Sequence, residues 1–308
     1  MTPQLTLAAR CSVAAASIRN RFRSCSPQLS LLTDFGSGDE AVYAVKSAAK
    51  MICPSIGIED ICHDVPLGNI LLGAWRLQRA VDLPTESPGT VYAAVVDPGV
   101  GSARRNIIAE TEDGRFLVGP DNGVLSLAFS SMGLKRVVEI ENQSLTLLHL
   151  ARSRTFHGKD VFAPAAAHLL RGVPAGEFGR ELCQSDLARI SISSRSSDLS
   201  REGHLVDVDG FGSVRTNVPN HIPERLLGKV VGFEITGPEG RIRSEARLVR
   251  TFSEARRGEP VFVLSSTGCL DLAVNLGSAS EKFNIPPESI VLGPDLVPLK
   301  RIVLDLAG

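Results

Sequence analysis

The sequence lacks a charge imbalance: 33 Lys and Arg face 34 Asp and Glu, a formal net charge of −1. A chain so near neutrality has no bulk field to draw nucleic acid or an anionic membrane surface. It also lacks any apolar run approaching the ~20 residues of a membrane span. Its six cysteines (Cys11, Cys25, Cys53, Cys62, Cys183, Cys269) show neither CxxC spacing nor a disulfide rhythm, which reads as reduced thiols in a cytoplasmic protein. Cys62 and His63 are adjacent and metal-competent, but two neighbours do not make a zinc site, and no metal is expected. There is no G-x-x-x-x-G-K-[ST]. Gly99-Val100-Gly101 begins a G-x-G-x-x-G that fails, because position 104 is Arg and no helical pattern follows. No internal repeat is evident.

What is present is ordinary for a globular chain: 308 residues, 43% hydrophobic and 22% charged, enough for about two domains. The first 26 residues hold four arginines and several serines with no acid. That composition fits a transit peptide, a disordered tail or a start codon placed too early, and the missing apolar h-region favours a disordered extension. The organisation expected is an extension over 1–27, an α/β domain over 28–190, a Ser-rich linker over 191–200 and an all-β domain over 201–308.

In the α/β part, Gln28–Leu32, Ser55–Ile61 and Val91–Val96 read as strands. Two helical stripes lie between them, the first opened by a capping box of Ser37 and Glu40, the second spanning Asn69–Asp82. This βαβαβ rhythm predicts a mostly parallel sheet with helices on both faces. Asp113-Gly114 signals a hairpin, and helices are expected over Val124–Phe129 and Val161–Leu170. After Ser200, short strand candidates separated by Gly and Pro turns predict a smaller sandwich or barrel: His204–Val208, Ser213–Val218, Lys229–Ile235, Arg241–Arg250, Val261–Ser265, Leu270–Val274 and Ile290–Leu292.

Gly89–Arg104 organises the rest. A buried strand delivers Asp97 to its C-terminal end, a Pro-Gly-Val-Gly turn follows, and Arg104 returns a cation to the same place. The crevice beyond strand ends is where open α/β sheets bind ligands. Asp34 ends the first strand and reads either as a turn residue or as a carboxylate accepting two hydrogen bonds from a vicinal diol. His157 precedes a helix N-terminus, where negative charge is favoured; it reads either as a backbone-satisfied loop histidine or as part of the site.

Six blocks then fall in order: TDFGSGD (Thr33–Asp39), VVDPGVGSAR (Val95–Arg104), GPDNGVLSLAF (Gly119–Phe129), TFHGKDVFAPAAAHL (Thr155–Leu169), DGFGSVRTNV (Asp209–Val218) and SSTGCLDLAVNLGSA (Ser265–Ala279). Together they resemble the S-adenosyl-L-methionine (SAM) hydroxide adenosyltransferase family, relatives of the fluorinases and chlorinases. The resemblance implies hydrolysis of SAM to adenosine and L-methionine, with SAM as substrate and no cofactor. It implies a catalytic triad of Asp97, Arg104 and His157, a ribose contact at Asp34 and a methionine contact at Asp39. Phe211, Ser213, Ser266 and Ala279 fall on the block positions that complete the substrate site. It implies a homotrimer with sites between subunits. Three positions depart from the pattern: Ser213 replaces an Asn, Ser102 replaces a Thr, and Gly158 stands where halogenating relatives carry a halide-contacting serine. The last favours water over halide as nucleophile. A SAM- or nucleoside-binding protein without turnover and a SAM-dependent halogenase are the alternatives.

Overall fold

Strand β1 (Gln28–Thr33) sorts its apolar residues between two cores. Leu29 and Leu31 enter one apolar cluster and Leu32 the other, as the two-residue period of a strand requires. The computed structural model describes residues 28–83, 89–151 and 154–306; the extension expected over 1–27 lies outside them.

Strands β2 (Gly57–Cys62) and β3 (Val91–Val95) pair in parallel with β1 on either side. β3 is buried along its length, with Val91, Ala93 and Val95 in one cluster and Tyr92 and Ala94 in the other. Burial on both faces explains its unbroken apolar run. With β4 (Asn106–Thr111), β5 (Phe116–Pro120), β6 (Leu134–Glu139) and β7 (Glu181–Leu182), they form a seven-stranded sheet ordered β2-β1-β3-β5-β4-β6-β7. The β1–β2, β1–β3 and β3–β5 junctions are parallel, whereas β4–β5, β4–β6 and β6–β7 are antiparallel. The sheet is mixed, which corrects the mostly parallel sheet expected. The Asp113-Gly114 hairpin is the cause, because a tight turn returns its strand antiparallel and β6 and β7 extend that pairing.

Four short helices pack on this sheet: α1 (Glu40–Ile52), α2 (Ile70–Val81), α3 (Ser126–Met132) and α4 (Ala163–Leu170). α1 and α4 share the cluster of Leu29 and Leu31, while α2 and α3 share that of Leu32. A Cβ on Gly73 of α2 would stand 2.9 Å from Val96 Cγ2, so the missing side chain lets the helix press against the end of β3. The cap of α1 is Asp39, whose carboxylate accepts the Ala41 N–H at 2.7 Å. It is not Ser37.

The second sheet contains β8 (Arg195–Ser196), β9 (Ser200–Val208), β10 (Val214–Pro219), β11 (Val230–Gly237), β12 (Gly240–Val249), β13 (Pro260–Leu264), β14 (Cys269–Val274) and β15 (Arg301–Asp305). Seven of them run in the order β10-β14-β13-β12-β11-β15-β9, and pairing of β9 with β10 closes a barrel. β15 was not among the expected strands, yet it joins β11 to β9. Ile290–Leu292 supplies only an isolated bridge, Leu292 to Pro298.

The barrel is fastened to the α2 face. Arg76 in α2 donates twice to Asp207 in β9, at 3.3 and 3.1 Å, and the Asp207 side chain is 2% exposed. Asn69 accepts the Leu72 N–H as the cap of α2 and donates to Ile290 O at 2.8 Å. Among the described residues, no helix is long and apolar enough to cross a membrane.

Candidate active site

Asp97 lies just beyond β3, and the chain doubles back at once. Val100 N–H reaches Asp97 O at 3.2 Å and Ser102 N–H reaches Gly99 O at 3.0 Å. Gly101 takes φ +80°, a conformation that glycine alone adopts without strain. These turns lay Arg104 over Asp97. Its Nε–H donates to Asp97 Oδ1 at 2.8 Å and its Nη2–H to Asp97 Oδ2, a two-point grip on a carboxylate with a side chain only 5% exposed.

His157 comes from the other side of the sheet end. It directly precedes Gly158–Phe162, a turn of π-helix that leads into α4, so the expected helix starts earlier and wider than Val161. His157 Nδ1 lies 2.7 Å from Arg104 Nη2. Arginine only donates, so Nδ1 must be the accepting nitrogen and the ring proton sits on Nε2. Burial first, and the Arg104 charge second, push the imidazole below its ordinary 6.5, which keeps it neutral near pH 7. Phe162 supports both groups: the Arg104 guanidinium lies 5.6 Å from its ring centre, and the His157 ring meets it edge-on.

A fourth residue joins this cluster. Asn106, at the start of β4, accepts Arg104 Nη1–H through Oδ1, which also lies 3.2 Å from His157 Nδ1. Sequence reasoning missed it; an Asn two places beyond an Arg matches no spacing rule.

Asp34 faces the same space. Gly68 N–H donates to its Oδ2 at 2.8 Å, while burial raises its pKa and the nearby Asp97 charge adds to that rise. Asp34, Phe35, Leu67, Asp97, Phe156 and His157 are among the residues lining a cavity of 460 Å³, with Arg104 behind its wall. The remaining expected residues lie elsewhere. Asp39 is exposed and caps α1. Phe211, Ser213 and Ser266 line a separate 920 Å³ cavity on the barrel, together with Phe252, Asp271 and Leu276. Asp209 shapes its rim, accepting the N–H groups of Phe211 and Ser213, each at 2.9 Å. Ala279 is fully buried in the first turn of α5 (Ala279–Phe283) and lines neither cavity.

In the barrel cavity, Asp271 is 6% exposed and its Oδ1 has no hydrogen-bond partner among the described residues. Burial pushes its carboxyl up to about 6. Cys62 and His63 turn apart: the thiol lies 3.9 Å from Arg76 Nη1, and the imidazole meets Thr33 Oγ1 and Asp60. Among the described residues, no three His, Cys, Asp or Glu side chains gather to hold a metal ion.

Comparison with known proteins adds a second line of observation. A family model described as the SAM hydroxide adenosyltransferase N-terminal domain matches residues 29–179, and the corresponding C-terminal model matches 203–292. The (R)-S-adenosyl-L-methionine hydrolase of Thermus thermophilus is 37% identical over 261 residues, 82% of this chain and 94% of that protein. A fluorinase of Nocardia brasiliensis is 27% identical over 287 residues, 84% of this chain and 94% of the relative. The crystal structure of an uncharacterized conserved protein from Thermotoga maritima superposes with a TM-score of 0.76 at 32% identity, covering 90% of this chain and 99% of that one.

Proposed function

Since the chain belongs to the SAM hydroxide adenosyltransferase family, we propose that it hydrolyses SAM to adenosine and L-methionine, with Asp97, Arg104 and His157 as the reacting cluster. The observation that carries this reading is that Asp97 and His157, linked through Arg104, line a cavity that Asp34 also lines. The sulfonium of SAM leaves as a neutral thioether and needs no proton. The protein's task is to hold a water oxygen in line with C5′ and sulfur, and alignment of that kind is worth several kcal/mol.

Arg104 occupies Nδ1 of His157, so His157 acts as a donor: Nε2–H holds the water oxygen. Asp97 then accepts the proton. The O–H becomes strongly acidic as the C5′–O bond forms, so a carboxylate suffices to take its proton. Asp34 receives the ribose diol. Gly158 favours water over halide, because it lacks the serine hydroxyl that contacts halide in the halogenating relatives, and a Cβ there would stand 3.2 Å from Phe35 Cζ and 3.4 Å from Phe156 Cε2.

The two cavities of one chain become a single site when the barrel of a neighbouring copy, in a homotrimer, covers the first. Leu67 at the first rim is 91% exposed, and Phe211 and Leu276 at the second are 85% and 74% exposed, apolar surface that such a contact buries. Adenosine release from SAM, followed by chromatography, tests the reaction: loss in Asp97→Ala with SAM still bound is expected, and wild-type turnover in that variant overturns it. Co-expression of Asp97→Ala with Phe211→Ala tests the shared site. Activity regained by mixing two weak variants is expected of a site built from two chains.

A further inference from the structure

Arg104 is held at both edges. Nε and Nη2 grip Asp97, Nη2 also meets His157 Nδ1, and Nη1 donates to Asn106 Oδ1 and, at 3.4 Å, to Arg105 O. Asn106 itself is fixed by the sheet: it lies opposite Pro120 in the β4–β5 ladder, and its carbonyl accepts the Ile140 N–H at 2.8 Å. Its carboxamide is therefore carried by a strand, whereas Asp97, Arg104 and His157 come from loops at the sheet end.

We propose that Asn106 is a positioning residue that sets the tautomer of His157, by pinning the free edge of Arg104 so that Nη2 donates to Nδ1 and leaves Nε2–H facing the cavity. An amide suits this task and a carboxylate does not. Asn106 Oδ1 lies 3.2 Å from Nδ1. A negative oxygen there competes with Arg104 for the ring, draws a proton onto Nδ1, and turns the histidine into the imidazolium or the opposite tautomer. The neutral oxygen holds the guanidinium without attracting that proton. The charged groups that act on His157 are Arg104, Asp97, Asp160 and Arg154, so Asn106 contributes position where the others contribute field. The consequence for turnover rests on His157 holding the water; the tautomer does not.

The test is ¹⁵N NMR of histidine-labelled full-length protein, with His157→Gln to assign the ring, combined with the pH profile of adenosine formation. Wild type is expected to show a single Nε2–H tautomer. Asn106→Asp, which has the same shape, is expected to protonate Nδ1 and to move the acid limb of activity upward by about one pH unit. Asn106→Ala is expected to give mixed tautomers and to lower kcat by about 10²-fold, with KM little changed. If Asn106→Asp does not fold, Asn106→Ala decides alone. A pure Nε2–H ring in either folded variant overturns the inference. Ring states that change as expected in a protein that makes no adenosine overturn the hydrolase reading and leave the role of Asn106 standing.

Discussion

One guanidinium joins an acid to an imidazole: Arg104 Nη2 gives an N–H to Asp97 and lies 2.7 Å from His157 Nδ1. Arginine does not deprotonate at accessible pH, so no proton passes from histidine to aspartate along this line. The arrangement differs in kind from a relay in which the carboxylate orients the histidine directly.

Arg104→Lys separates charge from geometry. A lysine keeps the positive charge but cannot reach Asp97, His157 and Asn106 at once. Turnover is expected to fall about 10²- to 10³-fold, the cost of losing a preorganised donor, with SAM affinity little changed. Steady-state kinetics and calorimetric binding of SAM check it, and full activity in the lysine variant refutes the bridging role.

On the proposed mechanism, the acid limb of the reaction is expected to report His157. Burial and the Arg104 charge hold its pKa below 6.5, and if the neutral ring is the active one, as proposed, activity should be lost only as pH drops below that value. The same lowering ties stability to the neutral form: it is present above 6.5 and lost as pH falls through the folded-state pKa. Arg104→Gln removes the opposing cation, and its residual activity should show the limb at higher pH. A kcat/KM profile of both proteins decides.

Asp271 gives a stability signal of the opposite sign. Its folded carboxyl titrates at about 6 against an ordinary 3.8, so its contribution is complete below 3.8 and lost as pH rises through about 6. Asn at this position cannot ionise. Asp271→Asn should gain on the wild type by up to about 3 kcal/mol across that window, read from denaturant melts at acid and neutral pH. A pH-independent difference counts against the buried carboxylate.

Much of the Asp97–Arg104–His157 cluster was legible in the sequence because its members end strands or precede a helix. Asp97 follows an apolar run, Arg104 closes a Gly-rich turn, and His157 introduces a helical stripe. Asn106 was not legible, since its partner is a side chain rather than a pattern. β15 escaped notice for a related reason: of Arg301–Asp305 only Ile302 and Leu304 are buried, too few to register as a strand outside its barrel. The hairpin at Asp113-Gly114 was visible, but its effect on sheet direction depends on which strand it lies beside. That is a tertiary fact.

Gly158→Ser tests the choice of nucleophile. The added Cβ obliges the Phe35–Phe156 pair, whose rings meet edge to face at 5.6 Å, to give by a few tenths of an ångström. Adenosine formation should slow about tenfold or more as that wall shifts. Excess chloride should give no 5′-chloro product with either protein, and detection of one by mass spectrometry would reopen the halogenase reading.

Arg76→Met removes the two-point partner of Asp207 at the junction of sheet and barrel and leaves Arg215 Nη1, at 3.7 Å, as its remaining cation. A buried carboxylate left with no partner costs about 3–5 kcal/mol, so with Arg215 still beside it thermal melts should show a smaller loss. Replacing Asp207 with Leu as well should restore part of it. A single variant as stable as the wild type would mean that Arg215 alone compensates Asp207.

The closure of β9 onto β10 also bears on how copies of this chain can meet. Closure leaves no free edge between β9 and β10, while two-residue β8 and the Gly240–Ala246 part of β12, which pairs only with β11, keep one side open. On the mixed sheet, the outer strands are two-residue β7 and β2, where Glu59 and Asp60 stand exposed like gatekeepers against strand addition. Zipping backbone to backbone is therefore disfavoured at the mixed sheet, and assembly through that domain relies on side chains. An oligomer built that way dissociates by side-chain substitution without unravelling a protomer, so quaternary structure and fold can be perturbed independently.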